Sequence, residues 1–385
     1  MSRTFIDIHV LQTVPPSNLN RDDTGSPKTA VYGGYRRARV SSQAWKRATR
    51  MAFGDRLDDS DLGVRTKRIV QLLADAIEQS SPELADRAVE LATATMNEVG
   101  IKTSVPSRKA KKGEDSDEPQ AEATEESGYL VFLSRRQIDN LAAAAIDAAQ
   151  AGDVKKALKD AKVKDLANRD HSVDVALFGR MVADQADINV DAAAQVAHAI
   201  SVHPVETEFD YYTAVDDTNP EEETGAGMIG TVEFNSSTLY RYATVNLGHL
   251  AANLGSTEAA RRAVEAFVEC FVRTMPSGKQ NTFANRTLPE AVVAQVRDSQ
   301  PINLVGAFEA PVRESGAEGR IKRASDALCA EAAEVERAYG ERPVASWVTR
   351  VGEDTASLDE MGTNVPLADL VSGVGELAAQ RLGGQ

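Results

Sequence analysis

Cysteine is nearly missing from this sequence: Cys270 and Cys329 are the two in 385 residues. Two thiols are too few for a disulfide framework or a thiolate metal cluster, so both are expected free in a reducing compartment. Histidine is also sparse. His9, His171, His198, His203 and His249 are scattered without i, i+4 partners, and even His198 and His203 bring no cysteine or carboxylate motif, so no metal or other cofactor is expected. Aromatic residues are 5% of the chain while alanine runs recur, which favours a helix-rich or mixed architecture over a β sandwich. No apolar run is long enough to cross a membrane. Residues 1–8 carry charge or polarity where a secretory signal needs an apolar core, so a cytoplasmic protein is expected, with no membrane among its partners. A P-loop is excluded, because Gly33-Gly34 lacks the required spacing. No internal repeat is evident, so any repetition must come from copies of the chain.

Positive charge is scarce overall, at a net −15, which at first argues against a nucleic-acid partner. Its distribution reverses that reading. Residues 1–50 hold nine basic residues (Arg3, Arg21, Lys28, Arg36, Arg37, Arg39, Lys46, Arg47 and Arg50) against Asp7, Asp22 and Asp23. Between Pro204 and Tyr240 there is no Lys or Arg at all, but there are nine carboxylates. A basic sector and an acidic arm therefore coexist on one acidic chain.

Along the chain, Phe5 to Leu11 alternates as a half-buried strand. A short basic strand is expected around Arg36 to Val40. A helix from about Gln43 to Phe53 follows Ser41 and Ser42, which are N-cap types. Ser80 with Glu83, and Pro82 in the first turn, predict a second capped helix start. Residues 102–128 pass from basic to acidic with almost nothing apolar, as in a mobile surface loop. Alanine-rich helices run to about Ile200. Two strand-like stretches between Val205 and Leu247 flank the acidic tip 216–227, which reads as a long hairpin. A helix after Ser256 should bury Ala260, Val264, Phe267, Val268 and Phe271. Strands are expected at Ala291 to Val296 and Ile302 to Phe308, a helix from about Lys322 to Tyr339, and a helical C-terminus. The class is α+β, with a ferredoxin-like core elaborated by insertions.

The chemistry concentrates in Asn18 to Arg50. Gly33 and Gly34 allow backbone to approach a ligand closely. Alternation sends Arg37 and Arg39 to one face. The helix opened by Ser41, Ser42 and Gln43 offers amide N–H groups to an anion. Lys46 and Arg50, four apart, reach for adjacent phosphates from one helical face while Trp45 anchors the other. The hairpin cannot hold RNA by charge, but Phe209, Tyr211, Tyr212 and Val215 can stack on or wedge between bases.

Several blocks together resemble the CasC family, the repeated backbone subunit of type I-E CRISPR Cascade. They are Leu19-Asn20-Arg21-Asp22-Asp23, Gly33-Gly34, Arg39-Val40-Ser41-Ser42-Gln43, Lys46-Arg47-Ala48, Leu177-Phe178-Gly179-Arg180-Met181, Thr213-Ala214-Val215-Asp216-Asp217, Gly230-Thr231-Val232-Glu233-Phe234, Tyr240-Arg241-Tyr242-Ala243 and Pro276-Ser277-Gly278-Lys279-Gln280. The resemblance implies a modified RRM palm (residues 1–60, 192–202 and 235–385), a helical fingers insertion (61–191, with a disordered loop 103–128) and a β-hairpin thumb (203–234). It implies a non-catalytic subunit that polymerises along crRNA, six copies in the family's complex, and presents the guide to target DNA beside CasA, CasB, CasD and CasE. The RNA-binding positions it implies, with those read above, are Asn20, Arg21, Lys28, Arg36, Arg37, Ser42, Gln43, Lys46, Arg50, Met181, Tyr211, Tyr212, Val215 and Lys279. Tyr35 departs from a lysine found in the family, with Arg36 as the neighbouring substitute. The competing enzyme reading is a guide-RNA-dependent metal nuclease using Asp22 or Asp23; the bland one is that these aspartates cap a turn.

Overall fold

A computed structural model describes residues 3–105, 125–182, 185–214, 228–313 and 318–383. The chain divides into two compact units. One comprises Met1–Asp55, Ala194–Gly248 and Ala260–Gln385; the other comprises Arg56–Ala193 and His249–Ala259. A large mixed sheet with many helices bears out the α+β class.

The first unit is built on the strand Phe5–Ser17. It pairs antiparallel with Met228–Asn246 on one side (Ile8 opposite Ala243) and with Ala291–Arg297 on the other (Ile8 opposite Ala294). Outward from Met228–Asn246 come Ala199–Ser201, Tyr35–Val40 and Thr29–Tyr32; outward from Ala291–Arg297 come Ala345–Arg350 and Thr363–Asn364. The expected half-buried strand is buried on both faces: Ile6, Ile8 and Val10 on one, Asp7, His9 and Leu11 on the other. Alternation still holds, but a central strand covered on both sides hides its polar set too, and that set must find partners. Asp7 meets Arg297 at 3.2 Å, accepts from the Tyr242 hydroxyl at 2.8 Å and from the Ile302 amide at 2.9 Å. His9 Nδ1 lies 2.9 Å from the Tyr240 hydroxyl. Burial, with the Arg297 charge adding to it, pushes His9 down to about 3.

Over one face of the sheet, Leu11, Tyr240 and Val293 share a core with Ala324, Leu328 and Ala332 of the helix Arg320–Tyr339. Trp45, fully buried, anchors the helix Ser42–Ala52 as expected. Its ring lies 3.8 Å from the Arg241 guanidinium, which also stacks 4.5 Å from Phe271 in the helix Thr257–Arg273. Arg241 donates to Gln12 and to the Phe271 carbonyl, and burial lowers its pKa to about 9. That helix buries Ala260, Val264, Phe267, Val268 and Phe271, as its periodicity predicts.

Three expectations fail in this unit. The alanine-rich helices expected to reach about Ile200 end earlier, and Ala194–Val196 and Ala199–Ser201 are strands drawn into the large sheet. Ile302 to Phe308 is no strand: Leu304–Phe308 forms a 3-10 turn, opened by Asn303 accepting from the Val305 amide, with the Leu304 amide donating to the buried Tyr240 hydroxyl. Instead Ala345–Arg350, where no strand is expected, takes the place beside Ala291–Arg297.

The second unit is mostly helical. Ile69–Ser80, Ala88–Val99 and Arg135–Ala149 enclose a core of Leu73, Ile77, Leu91, Met96, Leu141 and Ala145. Arg135–Ala149 begins with a full capping box, Ser134 with Gln137. The capping box expected at Ser80 and Glu83 does not form. Ser80 is the last residue of the preceding helix, and Pro82–Arg87 is a 3-10 turn with no side-chain cap. Both ends of the expected loop 103–128 are ordered, Thr103–Ser104 pairing with Glu126–Ser127; residues 106–124 lie outside the described residues.

Candidate nucleic-acid interface

In the first unit, the loop from Asn18 to Lys28 is organised by its own polar groups. The Asp22 carboxylate accepts from the Thr24 amide and hydroxyl and from the Ser26 amide. These bonds, the Thr24 hydroxyl foremost, hold its pKa below the usual range. The buried Asn18 amide donates at 2.9 Å to the carbonyls of Gly25 and Glu233, tying the loop to the hairpin strand. Asn20 holds the two sides together: its carbonyl accepts from the Lys28 amide at 2.8 Å, and its side-chain oxygen accepts from the Ser41 amide at 2.9 Å. Lys28 in turn receives the Arg39 amide on its carbonyl. One loop thus places Arg21, Lys28 and the start of the helix Ser42–Ala52 together.

That helix carries no acidic residue in its first turn, so no carboxylate there offsets its positive end. Ser41 caps it by accepting from the Ala44 amide. Ser42 is partly exposed, Gln43 and Arg47 are exposed, and Lys46 and Arg50 are half-buried, each next in sequence to the buried Trp45 or Thr49. Burial lowers the Lys46 pKa. Lys279 joins this edge through Gly278, which lies so close to the chain that a Cβ there would stand 2.2 Å from the Leu19 carbonyl oxygen. Lys279 itself adopts φ +47°, and the short helix Gln280–Phe283 that follows docks Phe283 on Phe234 at 5.9 Å between centroids.

The Gly33-Gly34 turn corrects one expectation. Its close approach is to its own chain: a Cβ on Gly33, at φ +58°, would fall on the Glu309 carbonyl. Arg37 corrects another. It is fully buried, and its guanidinium donates to the carbonyls of Ser201, Phe308 and Glu309. It braces the sheet against the segment 308–309 and presents no charge to a ligand. Arg39, two residues on, is partly exposed and donates to the Thr29 carbonyl and to His198. Arg36 is exposed, while the Tyr35 hydroxyl accepts from Arg313 at 2.6 Å. Neither Arg313 nor His198 carried a sequence signal, since each acts through a partner distant in the chain.

The hairpin Glu208–Ala214 with Met228–Phe234 exposes Phe209 (67%), Tyr211 (63%) and Tyr212 (43%). Alternation splits them. Phe209 and Tyr211 share one face; Tyr212 faces the other, over Gly230, where an added Cβ would sit 2.4 Å from its ring. Val215 and the tip 216–227 lie outside the described residues. In the second unit, Met181 is 83% exposed, directly after the buried Arg180. Arg180 donates to the carbonyls of Ile188, Phe132 and Ala167, and burial lowers it to about 10. Among the described residues no three His, Cys, Asp or Glu side chains gather to hold a metal, and no helix is long and apolar enough to cross a membrane.

The family described as CT1975-like protein matches residues 6–373. A chain of a solved structure described as "CRISPR RNA-guided surveillance complex, pre-nicking" is 35% identical, with a TM-score of 0.79 over 97% of this chain and 100% of that one. A chain of a second, described as "CRISPR RNA-guided surveillance complex", is 31% identical, with a TM-score of 0.68 over 96% and 99%. No curated protein matches this sequence significantly.

Proposed function

The chain belongs to the CT1975-like protein family, and from that membership we propose that it is a Cascade backbone subunit, one that binds crRNA without cutting it. The observation that carries this is the full-length likeness to surveillance-complex chains at 35% identity, and the basic edge around Asn20 supports it. Lys28, Lys46, Arg50 and Lys279 take backbone phosphates, with Arg21 and Arg36 beside them and the amides of Ser42 and Gln43 at the helix start. Phosphate contacts of this kind bind RNA of any sequence, as a subunit serving many guides requires. Phe209 and Tyr211 supply stacking from the hairpin; Tyr212, Val215 and Met181 are further wedge positions that the resemblance implies.

Supporting an RRM-like palm is the strand order Ala291–Arg297, Phe5–Ser17, Met228–Asn246, Ala199–Ser201. All neighbours are antiparallel, and the helices Ser42–Ala52 and Thr257–Arg273 follow the first and third strands in chain order. The segment 61–191 is assigned as fingers and 203–234 as thumb. Copies assemble head-to-tail, because a basic edge and an acidic arm on one chain are complementary without being self-complementary, and such contacts propagate as an open helix. The partners are crRNA, further copies, the other Cascade subunits and, through the guide, target DNA, in the cytoplasm. The nuclease reading gains nothing here: Asp22 spends its carboxylate on Thr24 and Ser26.

Purification from cells expressing a CRISPR RNA tests this. The chain should carry nucleic acid, with absorbance at 260 nm exceeding that at 280 nm, and should release a guide-length RNA on denaturation. Protein free of RNA that also fails to bind added guide would overturn the reading.

A further inference from the structure

Pro15 and Pro16 lie within the strand Phe5–Ser17, where neither can donate an N–H to the ladder. The pairing slips there: Val14 lies opposite Ser237 but Ser17 opposite Asn235, so three steps on one strand match two on the other. A bulge of this kind opens a sheet locally and re-aims its side chains. Beside it lies a cleft of about 20 Å³, half of whose lining is polar (Lys28, Arg39, Asn20, Ser17, Ser237 and Asn235) and half apolar. No Asp or Glu lines it, on a chain with a net charge of −15. Among the described residues neither Lys28 nor Arg39 has a carboxylate partner; Arg39 is steadied by the neutral Thr29 carbonyl and by His198. Asn235 is 8% exposed, and its Nδ2 has no hydrogen-bond partner among the described residues. An amide donor left unpaired in a buried place is costly, so an acceptor brought within its reach would be held. The volume admits one oxygen atom and excludes a base or a whole ribose.

We propose that this cleft seats one non-bridging phosphate oxygen of a single-stranded RNA backbone, with Asn235 as the buried donor and Lys28 and Arg39 as the flanking cations. The proposal rests on the RNA-binding reading above and adds Asn235 and Arg39 to it. It also gives the seat a second consequence. Asn235 is the first residue of its strand beyond the hairpin pairing, which ends with Phe234 opposite Glu208. The neighbouring Glu233 carbonyl is already held by Asn18. A phosphate in the seat therefore ties the hairpin root to the basic loop, so binding along the loop is felt where the hairpin starts.

The test is fluorescence-anisotropy titration of the full chain, stripped of nucleic acid, with a labelled twelve-nucleotide RNA over a range of salt. Asn235→Leu should weaken binding roughly tenfold, as expected for losing a hydrogen bond to a charged group, with the salt dependence unchanged because no charge is lost. Lys28→Ala should weaken binding and make the log–log salt slope shallower by about 0.7. The double variant should lose less than the product of the two, since both groups serve one phosphate. Asn235→Asp, which keeps the shape and sets a carboxylate against the phosphate, should lose more than Asn235→Leu, and serves if the leucine variant does not fold. Wild-type affinity in the Asn235 variants with a weakened Lys28→Ala removes the seat and leaves the basic edge standing. Absence of RNA binding by the wild type removes both.

Discussion

The basic edge and the hairpin belong to the same unit and meet where Asn18 donates to the Glu233 carbonyl, but they are made in opposite ways. The edge, from Asn18 to Arg50, is held by backbone amides, by the close approaches of Gly33 and Gly278, and by the amide side chains of Asn18 and Asn20, and its cations are carried outward on that scaffold. The hairpin is held by one pair of strands, is acidic, and exposes its aromatic rings. Charge is useful only where its position is fixed, and on the edge it is fixed by bonds that involve no charge. Rings need less precision, because every base offers a flat face. The edge is suited to following a backbone and the hairpin to interrupting a stack.

Two adjacent arginines separate scaffold from ligand groups on the edge, Arg37 being buried and Arg36 exposed. Arg37→Ala leaves three carbonyls without their donor, and should lower unfolding stability by about 3 kcal/mol or more in urea titrations. Arg36→Ala, at an exposed position, should stay within about 0.5 kcal/mol and act on RNA affinity instead. Equal stability losses would mean that the edge has no separation between scaffold and ligand groups.

The next test sets the two regions against each other. Phe209→Ala with Tyr211→Ala removes two exposed rings from one face, so RNA affinity should fall by about 1–3 kcal/mol for each base they stack, at constant salt slope. Lys46→Ala with Arg50→Ala should make the log–log salt slope shallower by about 1.4 and weaken all sequences alike. If both doubles change the slope equally, the division between shape and charge is wrong.

A pH titration reports on the sheet beneath both regions. His9 is neutral in the fold, with its pKa pushed down to about 3 from 6.5. The unfolded chain therefore binds the extra proton between those values, and stability is lost as pH falls through that window. Asp7, raised by burial, acts in the opposite sense, gaining stability as its carboxyl protonates. His9→Gln isolates the histidine: between pH 6 and 4 its stability should depend on pH less steeply than the wild type, by about 1.4 kcal/mol per pH unit. Parallel profiles would show that His9 does not titrate on unfolding. The smallest effect is expected at Tyr212. With its ring laid over Gly230, Tyr212→Ala should reduce RNA affinity less than Tyr211→Ala does.

Legibility in the sequence followed the range of the interactions. The helix beginning at Ser41 and the buried face of Thr257–Arg273 were legible because caps and 3.6-residue periodicity are local. The inward turn of Arg37 was not, since its acceptors stand more than 160 residues away. Alternation around Asp7 was visible, but its burial depends on Arg297 and Tyr242, which no local pattern announces. Gly33 was rightly marked as a site of close approach; what approaches it is Glu309 of the same chain. Pro15 and Pro16 read as loop residues by type, but they sit inside the first strand, where its register shifts.

The strand Met228–Asn246 runs without interruption from the hairpin into the middle of the sheet. At about 3.3 Å per residue its 19 residues span roughly 60 Å of nearly extended chain. Its continuity makes it a beam clamped at one end in the sheet. A push on the exposed rings bends or twists the beam, and the sheet in which it is embedded must answer with its own twist. The hairpin is stiff by inheritance, drawing its resistance from the core rather than from its own two strands.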